Sequence, residues 1–415
     1  IQFLSKETER TLKNDDQGTT VTSMSMRLYD TSRREVVPFE PGPTVSMYVC
    51  GITPYDATHL GHAFTYLCFD VLTRRLEDLG HEVKMVRNVT DVDDSILAKA
   101  KEIDVDYLEL GLSETAQFRD DIKALDLRPA VAEPTVTGSI DEIVSLISQL
   151  AEKGHTYTVD GTTFFDVTTF SDFGKISGYD EPTMISFANE RGANTEDERL
   201  RNPLDFILWQ KSEEGEPSWD SPFGPGRPGW HIECSAMAMS ELGPTIDLHG
   251  GGDDLIFPHH ECETAQSVAA NNSPFARHWM HVGMVAYEGE KMSKSLGNLV
   301  FVRDLKAEHD PRAIRLALLS HHYRGGFEWF DGDIDKGEAM LKRMLEAASC
   351  SHGPDSENLL TEVREAIDDD MDLPKACQLI DDFAKRTIEG EGDDSQAKTA
   401  LTQAAAILGV DLSSV

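Results

Sequence analysis

Basic residues are scarce in this 415-residue chain: 38 Lys+Arg stand against 74 Asp+Glu, a formal net charge of -36. Phosphate backbones are bound through Lys and Arg, so this balance argues against a protein that coats nucleic acid, though it leaves room for a local basic face. A solubilising acidic surface accounts for the charge without any further role. Long apolar runs are also missing, and no stretch approaches the length of a membrane span. The opening segment, "IQFLSKETERTLKNDDQGTTVTSMSM", is polar and reads as neither signal peptide nor anchor, so residues 1–25 are expected to be a disordered extension. Cysteine is sparse. Six residues (50, 68, 234, 262, 350, 377) in so long a chain make no disulfide framework, and the expected compartment is the cytoplasm. Internal repeats are absent.

What remains is ordinary for a globular protein, with 40% hydrophobic and 27% charged residues and enough length for two or three domains. From residue 26 to 97 the pattern runs strand, helix, strand: "TVSMYVCG", an apolar-periodic helix over residues 63–79, then "HEVKMVRNVT", ending in the acidic "DVDD". That order is the signature of a parallel α/β unit, whose ligands collect at the carboxyl ends of strands. Cys50 and the run Asn88, Val89, Thr90 fall at those ends. Residues 98–205 lose the strand rhythm and read as an insertion: two helical stretches and a β-like "HTYTVDGTTFFDV". The α/β rhythm returns over residues 206–326, in "PTIDLHGGGDDLIFPHHE" and "HWMHVGMVAYEGEKMSKSLGN", and residues 327–415 turn helical.

Four groups of residues carry possible chemistry. Cys50, Cys234 and His259 are far apart in sequence, and by spacing alone each thiol is as well explained as a small buried side chain. Position favours ligation, because Cys50 closes a strand and His259 stands at i to Glu263 at i+4, on one face if that stretch is helical. Two thiols and one imidazole with an open fourth position would be a working zinc site. His59 and His62 fall where free helix N–H groups favour anions, and could hydrogen-bond a phosphate, or simply cap the helix. "KMSKS", Lys291 to Ser295, could wrap a polyphosphate or be a solvated loop. "HGGGDD" would allow close backbone approach to a ligand, with Asp253 and Asp254 free to bind ribose hydroxyls.

Taken together, His-x-Gly-His at a helix start, a distant Lys-Met-Ser-Lys-Ser loop and the α/β unit around them resemble the class I aminoacyl-tRNA synthetases. "MYVCGIT", "NVTDVDD", "GEPSWDSPFGPGRPGWHIECSAM", "HGGGDDLIFPHHECETAQS" and "KMSKSLGN" narrow the resemblance to the cysteinyl branch, over residues 26–326. The resemblance implies a Rossmann-like parallel-sheet catalytic domain with an inserted connective segment and a C-terminal helical domain. It further implies Zn2+ on Cys50, Cys234 and His259, with Glu263 at the position of a fourth ligand in many tRNA enzymes. Zinc would select cysteine over serine by preferring soft sulfur to a hydroxyl. His59, His62, Lys291 and Lys294 would stabilise charge as the carboxylate attacks the α-phosphorus of ATP, which is expected to be carried with Mg2+. Cys50, Gly51, Ile52, Thr53, Thr65, Asn88, Val89, Thr90, Trp230, Gly252, Asp253, Asp254 and Val285 would line the cysteinyl-adenylate site.

Within that branch the sequence departs from the tRNA enzymes. They read Gly-Pro-Thr-Val-Tyr-Asp and His-Ile-Gly-Asn-Ala-Arg; this chain has Ile52, Pro54, His62 and Phe64 at the differing positions. That variant resembles the mycothiol-pathway cysteine ligases, which share the adenylation step but pass cysteine to the amine of glucosaminyl-inositol. The last 65 residues hold 5 Lys+Arg against 15 Asp+Glu, a poor surface for a tRNA backbone, so no tRNA partner, no membrane partner and a monomer are expected. "ERGANT" (residues 190–195) keeps only Glu-Arg-Gly of a ligase stretch usually reading Glu-Arg-Gly-Gly-Asp-Pro. Two other readings stay open from sequence: a cysteinyl-tRNA synthetase, and a degenerate paralogue that binds zinc or nucleotide without catalysis.

Overall fold

The computed structural model describes residues 25–55, 58–292 and 297–413, so most of the expected N-terminal extension lies outside the described residues. A short antiparallel pair, β1 (Arg27–Asp30) and β2 (Glu35–Pro38), precedes the first long strand, β3 (Thr44–Ile52). Helix α1 (Leu60–Asp78) follows, then β4 (Glu82–Val89) parallel to β3. The helix begins three residues before the apolar period suggests, because His59 caps it: its Nδ1 accepts from Gly61 N at 3.1 Å.

The inserted stretch begins with two helices, α2 (Asp94–Glu102) and α3 (Tyr107–Ala124), then α4 (Ile140–Glu152). A hairpin of β5 (Thr156–Val159) and β6 (Thr162–Phe165) is followed by α5 (Glu181–Glu190). Strands β7 (Phe206–Gln210) and β8 (Arg227–Pro228) extend that hairpin into a four-stranded antiparallel sheet, so this sheet runs across residue 205. Helix α6 (Trp230–Leu242), β9 (Leu248–Gly252), α7 (Glu261–Asn271) and β10 (Trp279–Val282) return to the main sheet. Its order is β10-β9-β3-β4, and every neighbouring pair is parallel. A second small sheet joins β11 (Val285–Tyr287), β12 (Glu290–Lys291) and, after α8 (Val302–Glu308) and α9 (Pro311–Leu319), β13 (Phe327–Trp329). Helices α10 (Gly332–Ser349), α11 (Leu359–Asp368), α12 (Leu373–Ile388) and α13 (Ala397–Ile407) complete the chain.

Strand β3 shows why the sheet is covered on both sides. Val45, Met47 and Val49 enter one core with α1 and the C-terminal helices, while Tyr48 and Cys50 enter the other with α4, α6 and α7. Alternation of side chains across a strand makes both faces apolar when both are buried. Among the described residues, no helix is long and apolar enough to cross a membrane.

Buried arginine–aspartate links tie the C-terminal helices to α1. Arg75 grips Asp368 of α11 through Nε at 2.9 Å and Nη2 at 2.7 Å. Asp370 accepts from Tyr29 N at 2.8 Å, Tyr323 Oη at 2.6 Å and Arg324 Nε at 2.6 Å. Arg315 of α9, wholly buried, donates to the carbonyls of Leu125 and Leu408 and to the carboxylate of Asp70 in α1. Gly409 lies beside that guanidinium at φ +71°, where an added Cβ would come within 2.3 Å of Arg315. Burial pushes the Asp70 carboxyl up, yet Arg315 and Arg74 outweigh it and leave it below the usual carboxylate range. Arg315→Met would orphan two carbonyls and half of Asp70's ion pairing. Breaking a buried pair from one side costs about 3–5 kcal/mol, so urea denaturation of Arg315→Met should show a loss of that order. A loss below about 1 kcal/mol would assign the link to Arg74 alone.

Candidate active site and metal centre

The carboxyl ends of β3 and β9 meet the N-terminus of α6 and the turn before α7. Cys50 at the end of β3, Cys234 in α6, His259 in that turn and Glu263 in α7 are all buried. One ligand atom from each lies within 4.8 Å of every other. Bonds of about 2.0–2.3 Å to one tetrahedral ion leave donors that close together, and two thiols, an imidazole and a carboxylate are a donor set suited to Zn2+. A second set, Cys50, His249, His260 and Glu263, shares two of those members.

Electrostatics shape the cluster. Cys50 and Cys234 share a proton: the hydrogen bond from Cys50 draws Cys234 down to about 6 against its burial, while burial and that same bond push Cys50 well up. Burial alone would raise Glu263, but His249 at 2.9 Å and His259 at 3.0 Å hold its carboxyl down to about 2. His259 is pushed down by burial and more strongly up by Glu263 and Cys234, reaching about 10. Its Nε2 faces Glu263, its Nδ1 meets His231 Nδ1 at 2.9 Å, and Trp230 stacks on the ring at 4.2 Å. Such outer partners fix which nitrogen a metal would meet. Behind them, His260 Nε2 lies 3.3 Å from Cys50 Sγ, and its Nδ1 meets His281 Nε2 at 2.6 Å.

The strand ends beside Cys50 are packed backbone against backbone. Gly51 N donates to Asn88 Oδ1 at 2.8 Å, Thr90 N to Ile52 O at 2.9 Å, and Asn88 Nδ2 to Thr90 Oγ1 at 3.0 Å. Thr53 follows β3, and Val89 ends β4. Thr65 stands in the second turn of α1, its Oγ1 donating to Gly61 O at 3.1 Å. His62 stacks on His59 with ring centroids 3.9 Å apart at the mouth of that helix. Gly252 ends β9, with Asp253 and Asp254 in the turn that follows, and Val285 opens β11.

The residues that flank the Lys-Met-Ser-Lys-Ser stretch are tied to the start of α1. Lys291 is the last residue of β12, and Lys294 lies outside the described residues. Asn298 Nδ2 donates to Tyr287 O at 2.9 Å, closing the base of the loop. Beyond it the chain is sewn to the start of α1: Leu60 N donates to Val300 O at 2.9 Å and Val302 N to Thr58 O at 3.0 Å. The two motifs, more than two hundred residues apart, therefore share one stretch of backbone pairing. Phe64 is fully buried and meets Phe327 of β13 edge-on at 5.0 Å.

A model of the tRNA synthetases class I (C) catalytic domain matches residues 36–339. The L-cysteine:1D-myo-inositol 2-amino-2-deoxy-alpha-D-glucopyranoside ligase of Streptosporangium roseum is 48% identical over 93% of this chain and 96% of its own. The enzyme of the same name from Thermobispora bispora is 51% identical over 94% and 96%. The chain belongs to this ligase family. The fold is that of the class I synthetases. A Mycobacterium tuberculosis methionyl-tRNA synthetase with methionyl-adenylate superposes with a TM-score of 0.63 at 16% identity, covering 88% of this chain and 89% of that one. An Agrobacterium radiobacter LeuRS in ternary complex gives 0.64 at 12%, covering 89% and 84%.

Sequence reasoning on this ligase-family chain missed His231, His249, His260 and His281 as members of the site. The doubled histidine of "FPHHE" and the histidine opening "HGGGDD" were the available signals, but their partners lie at remote positions. Gly51→Ala tests the packing beside Cys50, since an added Cβ would sit 1.6 Å from Asn88 O. Overpacking of this kind costs about 1–3 kcal/mol. The variant should melt several degrees lower and retain less metal than the parent; unchanged melting with full metal content would show that the strand ends separate freely.

Proposed function

We propose that this protein is an ATP-dependent ligase that adenylates L-cysteine, releasing pyrophosphate, and passes the cysteinyl group to the amine of glucosaminyl-inositol, forming an amide and releasing AMP. The observation that carries the reading is the buried cluster of Cys50, Cys234, His259 and Glu263, at the end of the strand that leads to the His59–His62 pair. Its relatives are named for cysteine and for the aminoglucosyl-inositol acceptor. Cys50, Cys234 and His259 would hold Zn2+, with the Glu263 carboxylate beside them, and the substrate thiolate would enter by displacing that carboxylate or adding to it. Zn2+ bound there supplies affinity for a thiolate over a hydroxyl.

The chain's own residues do the rest. His59 and His62, with Lys291 and Lys294, would place positive and hydrogen-bonding groups on the α-phosphate of ATP, itself carried with Mg2+. Gly51, Ile52 and Thr53, with Asn88, Val89 and Thr90, form one wall of the adenylate site. Thr65, Trp230, Gly252, Asp253, Asp254 and Val285 form the others. We read the enzyme as cytoplasmic and monomeric, without tRNA; its acidic C-terminal helices offer phosphates little attraction.

Three measurements test this. Given ATP, labelled cysteine and Zn2+, with glucosaminyl-inositol or cysteine tRNA in parallel, the protein should form the amide and leave the tRNA unacylated. Acylated tRNA would make it a tRNA synthetase instead. Cys50→Ser should lose bound metal and cysteine-dependent pyrophosphate exchange together; full exchange without metal would remove the cluster from the reaction. Lys294→Ala should slow exchange by about a hundredfold or more, the range for losing one donor to a developing charge, with cysteine affinity nearly unchanged. An unaltered exchange rate would exclude the loop from the phosphate.

A further inference from the structure

The segment between β9 and α7, residues 253–260, carries two chemistries. Asp253 and Asp254 open it, and His259 lies near its end. Its backbone is irregular, because Phe257, at φ -142° and ψ 135°, breaks the helical path. Carbonyls on such a turn lack helical partners and must find others. They and their neighbours are met from outside, by residues 170–195 of the insertion. Arg191 Nε donates to the backbone carbonyl of Asp254 at 2.9 Å, and the guanidinium lies over the Phe187 ring at 4.8 Å. At the other end, the wholly buried Glu261 accepts from Gly174 N and Ser177 N, both at 2.8 Å. Between them, Phe173 and Tyr179 meet Phe257 edge-on, with centroids 6.2 and 6.4 Å away.

We infer that Arg191 is a positioning residue for the adenylate end of the site, fixing the Asp254 backbone so that the turn after β9 is set before substrate arrives. The inference rests on the ligase reading above. It assigns to the insertion a role in the reaction: the same stretch that anchors the turn near His259 through Glu261 also anchors it at Asp254 through Arg191. A guanidinium suits this task because its rigid fork gives up little freedom per hydrogen bond and stacks on Phe187 at the same time.

The test uses the metal-loaded protein and a non-reactive cysteinyl-adenylate analogue. Arg191→Ala should weaken the analogue by about tenfold to a hundredfold, the equivalent of one charge-assisted hydrogen bond. It should raise KM for ATP in pyrophosphate exchange by a similar factor, with kcat, metal content and melting temperature close to the parent's. Arg191→Lys should recover part of the loss, because an ammonium can still reach one carbonyl. Equal affinity of parent and Arg191→Ala for the analogue would overturn the inference. So would a loss of metal and fold in step with affinity, which a merely structural arginine predicts. If the parent binds the analogue but exchanges no pyrophosphate, the ligase reading fails, and the comparison of analogue affinities still decides the role of Arg191.

Discussion

A carboxylate with no access to water is the constraint around which the rest of the site is arranged. Glu263 is 0% exposed, and an isolated buried charge costs several kcal/mol even after relaxation. It is tolerated because His249 and His259 reach it from two sides, one from β9 and one from the turn before α7. Each of those imidazoles must itself be held. His249 stacks on Trp279 of β10 at 4.7 Å, and His259 is fixed by Trp230 and His231 from α6. The spacing of β9 and β10, the start of α6 and the entry to α7 thus follow from satisfying one acid. Cys234 and Glu263 are both drawn toward their anionic forms in spite of burial. A buried excess of negative charge is relieved by a cation, which is the physical reason the donor set invites a divalent metal.

The demand for precision reaches far from the cluster. Helix α1 must present His59 and His62 while its other end lies against the C-terminal helices. Arg75 to Asp368 and Arg315 to Asp70 fix that end with charged hydrogen bonds in a dry interior, where rotation of the helix would leave ions unpaired. The start of α1 is fixed by different means, backbone pairing with residues 300–302. A helix clamped at both ends holds its first turn rigidly, and the loop carrying Lys291 is attached to the same clamp.

The parts of this architecture legible in the sequence are those with a period. Strand β3 and helix α1 announce themselves by alternation and by 3.6-residue spacing, and the class of fold follows from strand, helix, strand. For Cys50, Cys234 and His259 the sequence offers position at a strand end and the resemblance of whole motifs, because no local spacing links residues that meet across about two hundred positions. His249, His260 and His281 are not legible as one cluster, because only the sheet order brings β9, the turn before α7 and β10 together. The apolar period marks α1 only from residue 63, because its first turn is set by the His59 cap, a role the sequence offers for this histidine beside that of a phosphate ligand. Strands as short as β11, β12 and β13 leave no pattern to read.

Burial also decides what the signature residues can mean for the acceptor. Phe64 replaces an arginine of the tRNA enzymes and so marks the ligase variant in sequence, yet it is sealed between α1 and β13. Phe327, its partner, stacks on His321 at 3.7 Å, extending an aromatic column away from the cluster. An arginine there would require a counter-charge in an apolar site, so the substitution changes how α1 seats the small sheet that carries the Lys291 loop. The insertion is the part of the chain packed against the turn at Asp254. The stretch around Arg191, where the sequence departs from the usual ligase pattern, sits at that border. A signature position such as Phe64 can thus mark a family through packing in the core.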